Sequence, residues 1–138
     1  MLIHSETEML EFGRNFAAKL KAPAVLELIG DVGAGKTTFT RGLAEGLGVK
    51  ATLSSPSFTI SRLYQGDDCI LAHYDFYRLE DPGIMSGDLA ESIEDPKTIT
   101  VIEWGQSIKE LLPENHYVVE IKYIDENTRE VITQWKCI

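Results

Sequence analysis

The chain is poor in cysteine, in positive charge and in long apolar runs, and each shortage narrows the field. Cys69 and Cys137 are its two cysteines, with no C-x-x-C spacing. They read as reduced thiols of a cytosolic protein and not as a disulfide framework, with one Cys69–Cys137 bridge as the open alternative. Lysine and arginine total 13 against 22 acidic residues, a formal charge of −9. Affinity for nucleic acid comes mainly from neutralised phosphates, so this balance argues against broad direct contact with RNA or DNA and leaves room only for a local basic patch. No apolar run is long enough to span a bilayer, and no N-terminal stretch has the apolar region of a signal peptide. A soluble, cytoplasmic protein is expected. Repeats, low-complexity segments and linkers are missing too. The 138 residues, 43% of them hydrophobic, suit one domain (1–138) with one packed core.

What is present is concentrated in one loop. Gly30-Asp31-Val32-Gly33-Ala34-Gly35-Lys36-Thr37 fits G-x-x-x-x-G-K-[ST], the phosphate-binding P-loop. The preceding Ala24–Ile29 reads as a strand, and Thr38–Leu47 as a helix. Glycines let the backbone curl so that several N–H groups converge on one anion. The helix N-terminus adds partial positive charge at the same spot. Lys36 can reach the β- and γ-phosphates of a nucleotide, and the Thr37 hydroxyl can ligate Mg²⁺. An ordinary glycine-rich turn is the bland alternative, and the flanking strand and helix argue against it.

The remaining pattern is mixed. Ser5-Glu6-Thr7-Glu8 is a capping-box signature, followed by Met9, Phe12, Phe16 and Leu20 at helical spacing until Pro23. Phe58–Tyr64 and Cys69–Tyr74 read as strands around a Gln65–Asp68 turn. A short helix is expected at Asp88–Ile93, after the breaking stretch Asp81-Pro82-Gly83. The β-branched run Thr98–Ile102 reads as a buried strand ending at Glu103. One or two helical turns fit Ile108–Leu112. His116–Ile124 and Arg129–Lys136 alternate like strands joined by a turn at Asp125–Thr128. The expected fold is α/β: a P-loop NTPase-like mixed β-sheet flanked by helices, with some antiparallel strands.

Hydrolysis at a P-loop also needs an acid at the end of a neighbouring strand, to hold Mg²⁺ or orient water. Glu103 and Asp75 both stand at such ends. Their alternatives are a surface strand-end acid and a turn-initiating Asx residue. Arg78 is a candidate phosphate partner or a surface ion pair. His73 reads more as a hydrogen-bonded structural histidine than as a base. Trp104, next to Glu103, could wall a nucleotide pocket, face a partner or sit in the core.

Four segments occur in order: Gly30–Thr38, Ser55-Pro56-Ser57-Phe58-Thr59, His73-Tyr74-Asp75-Phe76-Tyr77-Arg78-Leu79 and Ile102-Glu103-Trp104. In this the chain resembles the bacterial TsaE (YjeE) family, over nearly its whole length. The resemblance implies ATP and Mg²⁺ as cofactors and weak intrinsic hydrolysis stimulated by partners. It implies work with the proteins TsaB and TsaD in tRNA N6-threonylcarbamoyladenosine modification, with tRNA met only through that complex. By the same resemblance Gly30, Asp31, Val32, Gly33, Ala34, Gly35, Lys36, Thr37 and Thr38 hold the nucleotide. Thr37 and Glu103 hold the metal, and Lys36, Asp75 and Glu103 serve catalysis. Glu6 and Arg129 lie near the nucleotide; read from the residues alone they are a first-turn acid and a strand-edge charge. Three departures from the family pattern stand out: Ser57 for Thr, Gly105 for Pro, and an 81–95 stretch without the usual acidic run. A small metabolite kinase is the alternative, but after Arg78 only Arg129 is available for a closing lid. A GTPase would need N-K-x-D, which the chain lacks.

Overall fold

Among the described residues, seven strands and three helices follow one another as β1 (Leu2–Ile3), α1 (Glu6–Ala17), β2 (Ala24–Ile29), α2 (Lys36–Gly46), β3 (Ser61–Gln65), β4 (Ile70–Asp75), α3 (Gly83–Glu94), β5 (Thr98–Glu103), β6 (His116–Asp125) and β7 (Thr128–Lys136). The computed structural model describes residues 1–31, 33–50, 61–76, 83–103 and 112–136, with the backbone alone at 83–86 and 136. All seven strands join one sheet in the order β1-β7-β6-β2-β5-β4-β3. The inner four, β6, β2, β5 and β4, are mutually parallel; β3 and β7 flank them antiparallel, and β1 pairs antiparallel with β7 at the edge. The mixed sheet expected from the sequence is therefore present, with the P-loop strand β2 near its middle.

Alternation along the strands builds two cores. Leu26 and Leu28 of β2, Ile99 and Val101 of β5 and Leu71 of β4 pack on one face with Phe16 of α1 and with Phe39 and Leu43 of α2. Val25, Ala72, Tyr74 and Ile102 point to the other face, where Leu89 of α3 joins them. Tyr74 ties α3 down: its Oη lies 2.8 Å from Ser92 Oγ and donates to Asp88 Oδ2 at 3.2 Å. Burial pushes its phenol up to about 12.

Helix α1 starts where the sequence says it should. Ser5 caps it by accepting from the Glu8 N–H at 3.0 Å. The Glu8 carboxylate reaches the N–H of His4 at 2.8 Å, one residue before the usual capping-box donor. Met9 and Phe16 are buried along one stripe, and Phe12, Phe16 and Phe39 form a ring cluster with centroids 5.6 to 6.0 Å apart. Two glycines let α1 and α2 touch backbone to backbone. A Cβ on Gly42 would lie 2.2 Å from Leu10 O, and one on Gly13 would lie 2.4 Å from Phe39 O. Alanine is the better helix former by about 1 kcal/mol, yet here it forces the helices apart. We expect Gly42→Ala to lose about 1–3 kcal/mol in urea melts, the scale of core overpacking. Stability equal to wild type would contradict the close packing.

Three boundaries differ from expectation. Helix α3 begins at Gly83, five residues before the expected Asp88; Pro82, Gly83 and Gly87 weaken the helical signal there without preventing the fold. The last hairpin turns on Glu126 and Asn127 alone, with Asp125 and Thr128 paired and the Asn127 N–H held by Asp125 Oδ1 at 2.8 Å. The two-residue β1 was not expected and pairs with β7. Residues 58–60 of the expected β3 strand and 108–111 of the expected helical turns lie outside the described residues. Cys69 is a buried free thiol; Cys137 lies outside the described residues. No helix among the described residues is long and apolar enough to cross a membrane.

Candidate functional site

The site grows from the carboxyl ends of three adjacent parallel strands. β2 runs out into Gly30, β5 ends at Glu103 and β4 at Asp75, and the registers pair Leu28 with Glu103 and Glu103 with Asp75. The period of two turns Glu103, His73 and Asp75 to the face that carries α1 and α2. Ligands of open α/β sheets gather at this end.

The glycine loop has the backbone its motif requires. Gly33 and Gly35 have φ of 83° and 111°, the left-handed region that side chains disfavour. A Cβ at Gly30 would lie 2.7 Å from Ile121 O, so the loop passes close over β6. The Ala34 N–H closes a turn onto Asp31 O at 3.0 Å. Helix α2 then starts at Lys36 with no side-chain cap and no acid in its first turn, which leaves the positive end of its dipole uncompensated by any carboxylate of that turn. Thr37 is exposed and Thr38 half-buried in that turn.

Beneath the loop lies a buried charged cluster. Lys36 is 7% exposed, and its Nζ is 3.8 Å from Glu103 Oε1. Burial lowers the Lys36 pKa, and the carboxylates of Glu103, Asp75 and Asp31 oppose that shift. The second oxygen of Glu103, Oε2, is 2.6 Å from His73 Nε2, and His73 is 2% exposed. Glu103 is thus a buried acid between a lysine and a histidine, not a surface strand end. Asp75 is half-buried beside it.

On the outer side of the loop a cleft of about 380 Å³ opens between the start of α1, the loop and the β6–β7 turn. Glu6, Gly33, Gly35, Thr38 and Arg129 line it, together with His4, Met9 and Asn127. Arg129 braces the loop: its Nε donates to Ala34 O at 3.1 Å and its Nη1 to Asp125 O at 2.6 Å. In a trans peptide the N–H points opposite to the C=O, so the Ala34 carbonyl on Arg129 turns the Gly35 N–H the other way. Glu6 lies 3.5 Å from Arg41 of α2. Glu6 and Arg129 thus both line the cleft beside the loop, and each also has a partner within the protein.

Two groups emerge, the cleft residues and the buried cluster, with the glycine loop shared between them. Val32, Arg78, Trp104, Ser57 and Gly105 lie outside the described residues. His73 is buried and hydrogen-bonded, as its sequence setting suggests, and its partner is the candidate acid Glu103. His73 and Asp75 are two apart on one strand and so share a face. The contact to Glu103 depends on strand order, which the sequence does not print.

Strand, glycine loop and helix at the centre of a parallel-cored sheet, with acids ending the next two strands, define a P-loop NTPase-like α/β protein. The family profile described as threonylcarbamoyl adenosine biosynthesis protein TsaE matches residues 3–131. The chain belongs to the TsaE family. It is 41% identical over 116 residues to the tRNA threonylcarbamoyladenosine biosynthesis protein TsaE of Bacillus subtilis, covering 83% of this chain and 72% of that protein. It is 35% identical over 129 residues to the protein of that name from Haemophilus influenzae, covering 90% and 82%. Among solved structures, Bacillus subtilis YdiB superposes with a TM-score of 0.81 at 31% identity, covering all of this chain and 84% of that one.

Proposed function

We propose that this protein is an Mg²⁺-dependent ATPase of tRNA threonylcarbamoyladenosine biosynthesis, weak by itself and acting with TsaB and TsaD through nucleotide-dependent association. The observation that carries the reading is the buried Lys36 and Glu103 cluster set directly under a glycine loop whose Gly33 and Gly35 are left-handed. Family membership supports the pathway.

The residues fit both expected groups. Left-handed glycines and an acid-free helix start suit phosphate oxygens. The cleft volume, about 380 Å³, suits a nucleoside. Mg²⁺ is an ion held by one or two protein oxygens plus phosphate. Thr37 and Glu103 are the residues that would hold it. When bound, Mg²⁺ neutralises charge on the phosphate oxygens. Lys36 exchanges its ion pair with Glu103 for the terminal phosphates. Asp75, beside Glu103, accepts a hydrogen bond from the attacking water and orients it. The glycine loop holds the phosphates still while charge moves to the leaving oxygen.

An acidic chain has few cations to replace counterions, so partners rather than direct RNA contact connect it to tRNA. We expect a TsaB–TsaD pair to retain the chain in pull-downs with ATP and to release it with ADP or no nucleotide. Equal retention in all three states, together with tight tRNA binding by the isolated chain at physiological salt, would instead make it a direct RNA-binding protein.

A further inference from the structure

We propose that His73 is the positioning residue of this site: it holds one oxygen of Glu103 and thereby presents the other to Lys36 and to the bound cation. The inference rests on the ATPase reading above and adds a residue that the reading does not use.

Glu103 needs an orienting contact. A carboxylate at a strand end can rotate about its last torsion, which is broad and two-fold. The Phe76 N–H donates to Glu103 O at 3.1 Å, which pins the backbone but not the carboxylate. Lys36 at 3.8 Å is within ion-pair range but beyond hydrogen-bond length, so it attracts the group without aiming it. His73 at 2.6 Å is a short, buried, charge-assisted hydrogen bond. The division of labour follows: Oε2 is occupied by the imidazole, and Oε1 faces Lys36.

The histidine itself points to the same role. With a carboxylate accepting, Nε2 carries the proton. Nδ1 is then a buried atom with no hydrogen-bond partner among the described residues. Leaving a polar atom unmet in a core is unfavourable. An apolar side chain there, on the face that carries Leu71 and Val101, would avoid that cost. What the imidazole adds is the donor to Glu103.

Three variants separate positioning from packing. His73→Phe keeps a ring and loses the donor. His73→Gln carries an amide N–H near the place of Nε2. His73→Asn carries one near the place of Nδ1, too short to reach Glu103. ADP affinity is measured by calorimetry with and without Mg²⁺, and ATP turnover is followed in single-turnover mixing across a Mg²⁺ series. For Phe and Asn we expect turnover to fall about 10- to 100-fold and the Mg²⁺ requirement to rise about 10-fold, the scale of losing a residue that orients a metal ligand. ADP affinity without Mg²⁺ stays within about 2-fold, because phosphate contacts made in the ground state are untouched. Gln restores most of both losses. A merely structural histidine predicts lower melting temperatures with wild-type turnover and Mg²⁺ requirement in the folded protein, and that result overturns the proposal. So does equal behaviour of Asn and Gln, a comparison that stands even where Phe fails to fold. If Glu103→Ala is slow while the His73 variants match wild type, the role of His73 alone is wrong; if Glu103→Ala also matches wild type, the ATPase reading fails with it.

Discussion

Glu103→Ala still binds ATP and turns it over at least about 100-fold more slowly, the lower end of what losing one group that stabilises transition-state charge costs. Affinity largely survives because most ground-state contacts belong to the glycine loop and to Lys36, and neither is removed. It can even rise. Lys36 Nζ sits 3.8 Å from Glu103 Oε1, and the two are 7% and 5% exposed. Phosphate has to displace that carboxylate from its lysine; alanine offers no competitor. Turnover falls because the cation that Glu103 is proposed to hold acts chiefly on charge that develops in the transition state, so losing its ligand lowers kcat more than it weakens binding. Single-turnover mixing with excess enzyme checks this, since product release does not enter. Equal rates in the two proteins would make Glu103 a structural acid in spite of its burial. Asp75→Ala, at the register position beside Glu103, is expected to fail in the same sense.

Lys36→Ala has the opposite profile. The lysine is buried, and its amine is held among the carboxylates of Glu103, Asp75 and Asp31. Burial lowers its pKa while those acids keep the cation in place, so a charged donor stands ready at the loop. Each charge-assisted hydrogen bond it makes to phosphate is worth about 1.5–3 kcal/mol. Losing one lowers ATP affinity about 10- to 150-fold. Calorimetric titration of both proteins at saturating Mg²⁺ measures the difference. Unchanged affinity would remove the phosphate site from Lys36. The contrast between the two variants, one losing rate and the other affinity, is sharper than either result by itself.

Much of this site was legible in the sequence because its physics is local. Gly33 and Gly35 must go left-handed within three residues of each other, and the strand before and helix after announce themselves by period. The β-branched run ending in Glu103 marked a buried strand, and such a strand beside a P-loop strand places its terminal acid at the loop. Contacts that depend on register were harder to read. His73 and Glu103 are 30 positions apart, and nothing in either segment states that β4 and β5 lie side by side in parallel. Gly13 and Gly42 look like weak points of two helices until the helices are laid together. Arg129 reads as a strand-edge charge from its own surroundings; its hold on the Ala34 carbonyl spans 95 positions, and only the family resemblance pointed to it. The start of α3 was obscured by Pro82, Gly83 and Gly87, whose weak local preference is overridden by packing of residues such as Leu89 against the sheet.

Every prediction above about the site depends on the proposed binding of Mg²⁺ and ATP by the loop Gly30–Thr37 and the acids behind it. Equilibrium titration of the wild-type chain with ATP and with GTP, each with Mg²⁺ and with a chelator, tests it most directly. The account predicts one saturable ATP site per chain, weakened by the chelator, with GTP bound clearly less well. No saturable ATP binding, or ATP and GTP bound alike whether or not Mg²⁺ is present, would contradict it.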